Sequence, residues 1–190
     1  MSYRKRIKNN DYNKMTTVKT YTKHIIKNQS KYNGLSKIES YELEYLCLNI
    51  LNENFVCICQ NKDNHHFPKI INMNDSELKF TFSHCGTSLD KLKYEIKILN
   101  CENQVDCIIH NLRKNNIIHL DMVSNGKNLC ITDDGILSLI YFDIASIDNK
   151  YLSTKIEKRF TNYGNNYDDY ITKFRQEILS ILIKHKYIIT

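Results

Sequence analysis

The chain has 190 residues, 42% of them hydrophobic and 25% charged, with a net charge of +6. That is long enough for a real core and too apolar for intrinsic disorder. The positive charge is scattered apart from Arg4, Lys5, Arg6 and Lys8, so a nucleic-acid-binding surface is not expected. No apolar run is long enough for a bilayer, and none follows the basic N-terminus as a signal peptide requires. Seven cysteines, an odd number without framework spacing, point to reduced thiols and a cytoplasmic protein.

In chain order, Met1 to about Met15 reads as a flexible basic arm. Val18 to Lys27 alternates weakly and predicts one or two strands, and Asn28 to Gly34 is turn-like. Ile38 to Leu51 predicts a helix with Leu43, Leu46, Cys47 and Ile50 on one face. Phe55 to Gln60 alternates like a strand carrying buried thiols. Cys57 and Cys59, with His65 and His66 nearby, also suggest zinc. A structural zinc site, however, wants four ligands and normally a wider cysteine spacing, so the strand is preferred. Ile70-Ile71 and Leu78 to Phe82 predict strands across an Asn72 to Glu77 turn. Leu89 to Leu99 reads as a helix. Val105, Ile108, Ile109 and Leu112 stand at i, i+3, i+4 and i+7 within a helix over Gln104 to Lys114. Asn128 to Ile131 and Ile136 to Phe142 read as short strands joined by the Asp133-Asp134-Gly135 turn. A polar, Asn- and Tyr-rich connection follows Ser146. The last helix carries Ile171, Phe174, Ile178, Ile181 and Leu182. Asp168 or Asp169 is expected to cap its start.

The segment from Asn116 to Ser146 holds the most telling pattern: His119-Leu120-Asp121, then Asn128 before three apolar residues, then Tyr141-Phe142-Asp143. It resembles the catalytic centre of the protein-kinase-like superfamily, with its His-Arg-Asp element, metal-binding Asn and Asp-Phe-Gly triplet. Phe82 to Leu89 is similar to the family's hinge between lobes. His66-Phe67-Pro68-Lys69-Ile70 is similar to the turn before its fourth strand. The resemblance implies an α+β, minimal two-lobed fold: a reduced N-lobe over residues 16–83 and a truncated C-lobe over 84–190. In its abbreviation it is similar to small atypical kinases of the RIO kind. The Asn-, Lys- and Ile-rich composition is similar to that of kinase-like proteins of giant viruses, whose setting would be host cytoplasm.

What the resemblance implies for the site follows residue by residue. Asp121 would be the catalytic base and His119 a structural residue packed with Phe142. Asn128 would be the metal-side amide, with Asn125 competing. The triplet's metal-binding position is occupied by Tyr141, and a phenol is a poor Mg²⁺ ligand near neutrality. Asp143 stands two residues on, and would share a face with Tyr141 in an extended stretch. Lys27 would clamp phosphates and pair with Glu44, with Glu39 and Glu42 as alternatives. Phe82, His84 and Cys85 would line the nucleotide pocket. No Gly precedes Gly34, so the Gly-rich loop over the phosphates is missing or replaced. ATP and Mg²⁺ are the implied cofactors, with metal dependence doubtful, and a protein the implied partner or substrate. The expected function is a pseudokinase or weakly active regulatory module. An active divergent Ser/Thr-type kinase and a small-molecule kinase on the same fold are the alternatives.

Overall fold

The computed structural model describes residues 20–25, 34–59, 65–92, 98, 100–121, 126–148, 153–164 and 166–184. Among them the chain is mixed α+β, with small antiparallel sheets packed against four α-helices. The expected basic arm, Met1 to Met15, lies outside the described residues, as do Lys27 and Asn125.

Strand β1 (Thr20–His24) pairs with β3 (Lys79–Ser83), which forms a hairpin with β2 (Ile70–Asn74), giving the order β1-β3-β2. Tyr21 pairs with Phe82 and Lys23 with Phe80. Helix α1 (Lys37–Glu53) starts at a capping box: Ser36 Oγ accepts from the Glu39 N–H at 3.2 Å, and Glu39 Oε2 accepts from the Ser36 N–H at 2.7 Å. Its buried face holds Leu43, Glu44, Cys47, Leu48 and Leu51, while Leu46 and Ile50 flank the core. Tyr41 of α1 stacks on Phe80 at 4.2 Å, which fastens the helix to the sheet.

Helix α2 (Cys101–Lys114) buries the predicted Val105, Ile108, Ile109 and Leu112. It also holds the second sheet, β4 (Thr87–Ser88), β6 (Leu129–Ile131) and β7 (Leu137–Leu139). Gln104 Oε1 accepts from the Leu137 N–H at 2.8 Å and its amide donates to the Gly135 carbonyl at 2.9 Å. The two-stranded ladder β5 (Ile117–Ile118) and β8 (Ser146–Ile147) brackets the segment that carries His119 to Asp143. Helix α3 (Thr154–Tyr163) precedes α4 (Tyr167–Lys184), which buries Ile171, Phe174, Ile178, Ile181 and Leu182 as predicted, and Tyr170 besides. Asn166 caps α4, accepting from the Asp169 N–H at 2.9 Å, with the Asp169 carboxylate accepting from its amide in return.

Four expectations need correction. Phe55 to Cys59 forms no strand, because its partners are side chains of α2. Asn111 Oδ1 accepts from the Val56 N–H at 2.8 Å, and Asn111 Nδ2 donates to the Val56 carbonyl at 2.9 Å. Leu89 opens a 3-10 turn over Leu89–Lys91 that gives way to extended backbone at Leu92, where a helix was expected to continue. Of the rest of the expected helix, residues 93–97 and 99 lie outside the described residues. Ser88 Oγ ties the turn to the Lys127 carbonyl at 2.7 Å. The strand expected over Ile136 to Phe142 stops at Leu139, because Tyr141 takes a left-handed φ of +67° that ends the pleat. The polar connection after Ser146 contains α3, nucleated by Ser153, whose Oγ accepts from the Ile156 N–H at 3.2 Å.

Candidate functional site

Alternation along β1 places Tyr21 and Lys23 on the same face. Lys23 reaches inward, where its ammonium hydrogen-bonds to Glu44 of α1 and lies 3.4 Å from Asp143 Oδ1. The same ammonium stands 4.4 Å from the centroid of the Tyr141 ring, within cation–π range. Both carboxylates are buried, with side-chain exposures of 1% for Glu44 and 9% for Asp143. One cation is therefore shared by two acids and an aromatic face. Burial works to lower the pKa of the Lys23 ammonium, but the charges of Glu44 and Asp143 prevail and raise it. Burial pushes the Glu44 carboxyl up to about 7, opposed by Lys23 and reinforced by the charge of Asp143. The Glu44 carboxylate also accepts from the backbone of Phe142, which binds α1 to the turn.

The second half of the site hangs on His119. Its Nε2 lies 2.9 Å from the Ile140 carbonyl, and since a carbonyl only accepts, Nε2 carries the proton. Burial lowers its pKa, which keeps the ring neutral. The ring meets Phe142 edge to face at 4.9 Å. The Ile140 N–H donates to the Asn128 carbonyl at 3.0 Å, so the Tyr141 turn is tied to both flanks. Asn128 Nδ2 donates to Asp121 Oδ2 at 2.9 Å and also to the Asp121 carbonyl. Asn128 Oδ1 is buried with no hydrogen-bond partner among the described residues.

Beyond Lys23 opens a cleft of about 270 Å³, lined by Tyr21, His84, Cys85, Gly86, Ile140 and Tyr141 among others. Phe82 is fully buried behind it and packs against Tyr21, with ring centroids 5.1 Å apart. His84 is exposed and its Nδ1 accepts from the Gly86 N–H at 3.3 Å; the Cys85 thiol is pushed up to about 11 by burial. Gly86 has a φ of +93°, and a Cβ there would stand 2.0 Å from the Ile131 carbonyl oxygen. Only glycine fits this crossing.

The geometry thus brings Glu44 and Asp143 together, and Asp121 with Asn128, while His84 and Cys85 border the cleft and Phe82, expected to line it, is buried behind Tyr21. Lys27 is not described, and the cation against Glu44 is Lys23. Sequence reasoning missed Lys23, Tyr21 and Tyr170. The strand period offered a signal for the first two, since a Tyr and a Lys two apart share a face. For the implied cofactors the fit is poor. Asn128 Oδ1 suits a hard cation, but Tyr141 offers a phenol where an anionic oxygen is needed, and Asp143 is engaged with Lys23. These residues do not fit a Mg²⁺ ion. The cleft, at about 270 Å³, stands at the lower edge of the roughly 300–1,000 Å³ usual for small-molecule sites, and Tyr21 lines it. No phosphoryl-transfer step follows from this arrangement. Among the described residues no helix is long and apolar enough to cross a membrane. No protein-family model matches the chain, and no curated protein shows significant similarity to it.

Proposed function

We propose that the chain is a minimal protein-kinase-like domain with a degenerate metal and phosphate site, acting as a pseudokinase that regulates a protein partner. The observation that carries this reading is Tyr141, which stands where the resemblance places the metal-binding carboxylate and turns its ring to Lys23, 4.4 Å from the ammonium. Phosphoryl transfer on a kinase-like fold needs both a Lys–Glu ion pair and a metal-binding carboxylate. The Lys23–Glu44 pair is present, whereas the carboxylate's expected position holds a phenol, a poor Mg²⁺ ligand. An interaction module needs the fold and its surface, not an open site.

An active divergent Ser/Thr-type kinase using ATP and Mg²⁺ is the second reading. The feature that favours it is Asp121, whose carboxylate Asn128 holds at 2.9 Å, beside the unpartnered Asn128 Oδ1. Thermal unfolding with increasing ATP, with and without Mg²⁺ or Mn²⁺, separates the two. A ligand that binds only the native state adds about 2.7 kcal/mol at a hundredfold excess over its Kd. The pseudokinase reading expects little stabilisation, and none that depends on metal. Stabilisation that appears only with Mg²⁺, together with phosphotransfer abolished by Asp121→Ala, would overturn it.

A further inference from the structure

Outside the cleft, three thiols converge from two parts of the fold. Cys57 and Cys59 belong to the irregular segment after α1, and Cys107 to α2. Cys57 Sγ and Cys59 Sγ are 3.4 Å apart, and all three sulfur atoms lie within 4.8 Å of one another. A tetrahedral zinc site with Zn–S bonds of about 2.3 Å has edges of about 3.8 Å. The short Cys-x-Cys spacing, which argued against zinc in the sequence, is therefore no obstacle. The two side chains already turn to one side, as their 3.4 Å sulfur separation shows, and the missing third thiolate comes from the helix.

A fourth donor stands beside Cys59. His66 is fully buried, with Nε2 3.3 Å from Cys59 Sγ and Nδ1 2.6 Å from the Leu137 carbonyl. The carbonyl requires the proton on Nδ1, which leaves the Nε2 lone pair directed at the sulfur. A histidine ligand with its other nitrogen anchored on a backbone carbonyl is the usual arrangement in metal sites. Cys107 Sγ also receives the Ile58 N–H at 3.4 Å, a donor suited to a thiolate. As a free thiol it donates weakly to the Val56 carbonyl at 3.7 Å, a contact that metal binding would exchange for a metal–sulfur bond.

We propose that Cys57, Cys59, Cys107 and His66 form a structural Zn²⁺ site of three thiolates and one imidazole. On binding, the three thiol protons leave to solvent, and no oxidant or reductant is required. The ion fastens the segment after α1 to α2 and to the start of the β2–β3 hairpin. This proposal is independent of the kinase-like reading.

The test uses the whole chain, purified under reducing conditions, freed of metal and titrated with Co²⁺ as a spectroscopic probe. The expected result is the intense visible absorption of tetrahedral Co²⁺ with a near-ultraviolet thiolate charge-transfer band, both erased by added Zn²⁺. Chelation should lower the melting temperature and Zn²⁺ should restore it. Cys57→Ser, at a half-buried position, should weaken Co²⁺ binding at least tenfold, as should His66→Gln. Cys101→Ala, a thiol outside the cluster, should leave it unchanged. Wild-type protein that binds neither ion, or gives a weak octahedral spectrum, would overturn the proposal. So would a folded Cys57→Ser chain that binds Co²⁺ like wild type, or a disulfide among these thiols found by mass in freshly isolated protein. The wild-type titration decides the matter even where a variant does not fold.

Discussion

Replacing Lys23 with Met keeps an unbranched stem of similar length and deletes the ammonium alone. It leaves Glu44 and Asp143, with side-chain exposures of 1% and 9%, without the ammonium they share. Removing one member of a buried ion pair costs about 3–5 kcal/mol, because the remaining charge stays desolvated. The Tyr141 ring loses its cation as well, worth roughly 0.5–2 kcal/mol on its own and not additive with the pair. A domain of this size loses about 2–4 °C of Tm per kcal/mol, so a fall of roughly 6–20 °C is expected. Urea unfolding at pH 8, where Glu44 is ionised, gives the free energy directly. The loss should shrink near pH 5, where Glu44 holds a proton. The companion Lys23→Met/Glu44→Met should recover at least half of it, since an apolar pair of similar volume is commonly neutral in place of a buried ion pair. If Lys23→Met unfolds within about 1 kcal/mol of wild type with an unchanged m-value, the shared cation contributes nothing and the reasoning fails.

Two further outcomes follow from the same site. The Glu44 carboxyl, ordinarily near 4.5, is pushed up to about 7 by burial. Between those values the folded chain keeps a proton that the unfolded chain has released, so stability falls as pH rises through the window. Glu44→Gln should remove up to about 3 kcal/mol of that slope, and a wild-type-minus-variant difference that is flat from pH 4.5 to 7 in urea titrations refutes the assignment. Tyr141→Asp should create or raise Mg²⁺-dependent ATP binding, at a packing cost of roughly 1–3 kcal/mol. Isothermal titration that finds no metal dependence in a folded Tyr141→Asp chain shows that more than this position stands in the way.

Much of the fold was legible because its helices carry a 3.6-residue apolar period. The core faces of α2 and α4 were read residue by residue, and α1 to within two residues at each end. What was missed depends on partners far along the chain. The Phe55–Cys59 segment alternates like a strand, yet its backbone is satisfied by Asn111, some 55 residues away. Helix α3 is a ten-residue, mostly polar segment whose few apolar residues share one face, and it was read as part of the polar connection. The acids of the site were visible as letters in a pattern. Their cation was harder to read: the period of β1 puts Tyr21 and Lys23 on one face, but only the register of β1 on β3 selects Lys23 to meet Glu44. Tyr141 illustrates the same limit: its left-handed backbone turns the ring towards Lys23, whereas simple alternation would have spread Tyr141 and Asp143 along one face.

The Tyr170 hydroxyl of α4 accepts from the His119 N–H and donates to the His119 carbonyl, each at 2.8 Å. Both polar groups of one peptide residue are thus satisfied by a single phenol from the last helix. Undocking α4 would strand an N–H and a C=O in the interior, at a cost of about 1–3 kcal/mol each. The segment leading to Asp121 therefore cannot relax alone while the helix stays put, nor the helix while the segment holds. The two open as one cooperative unit, and the amide proton of His119 exchanges with solvent only when the C-terminal helix lets go.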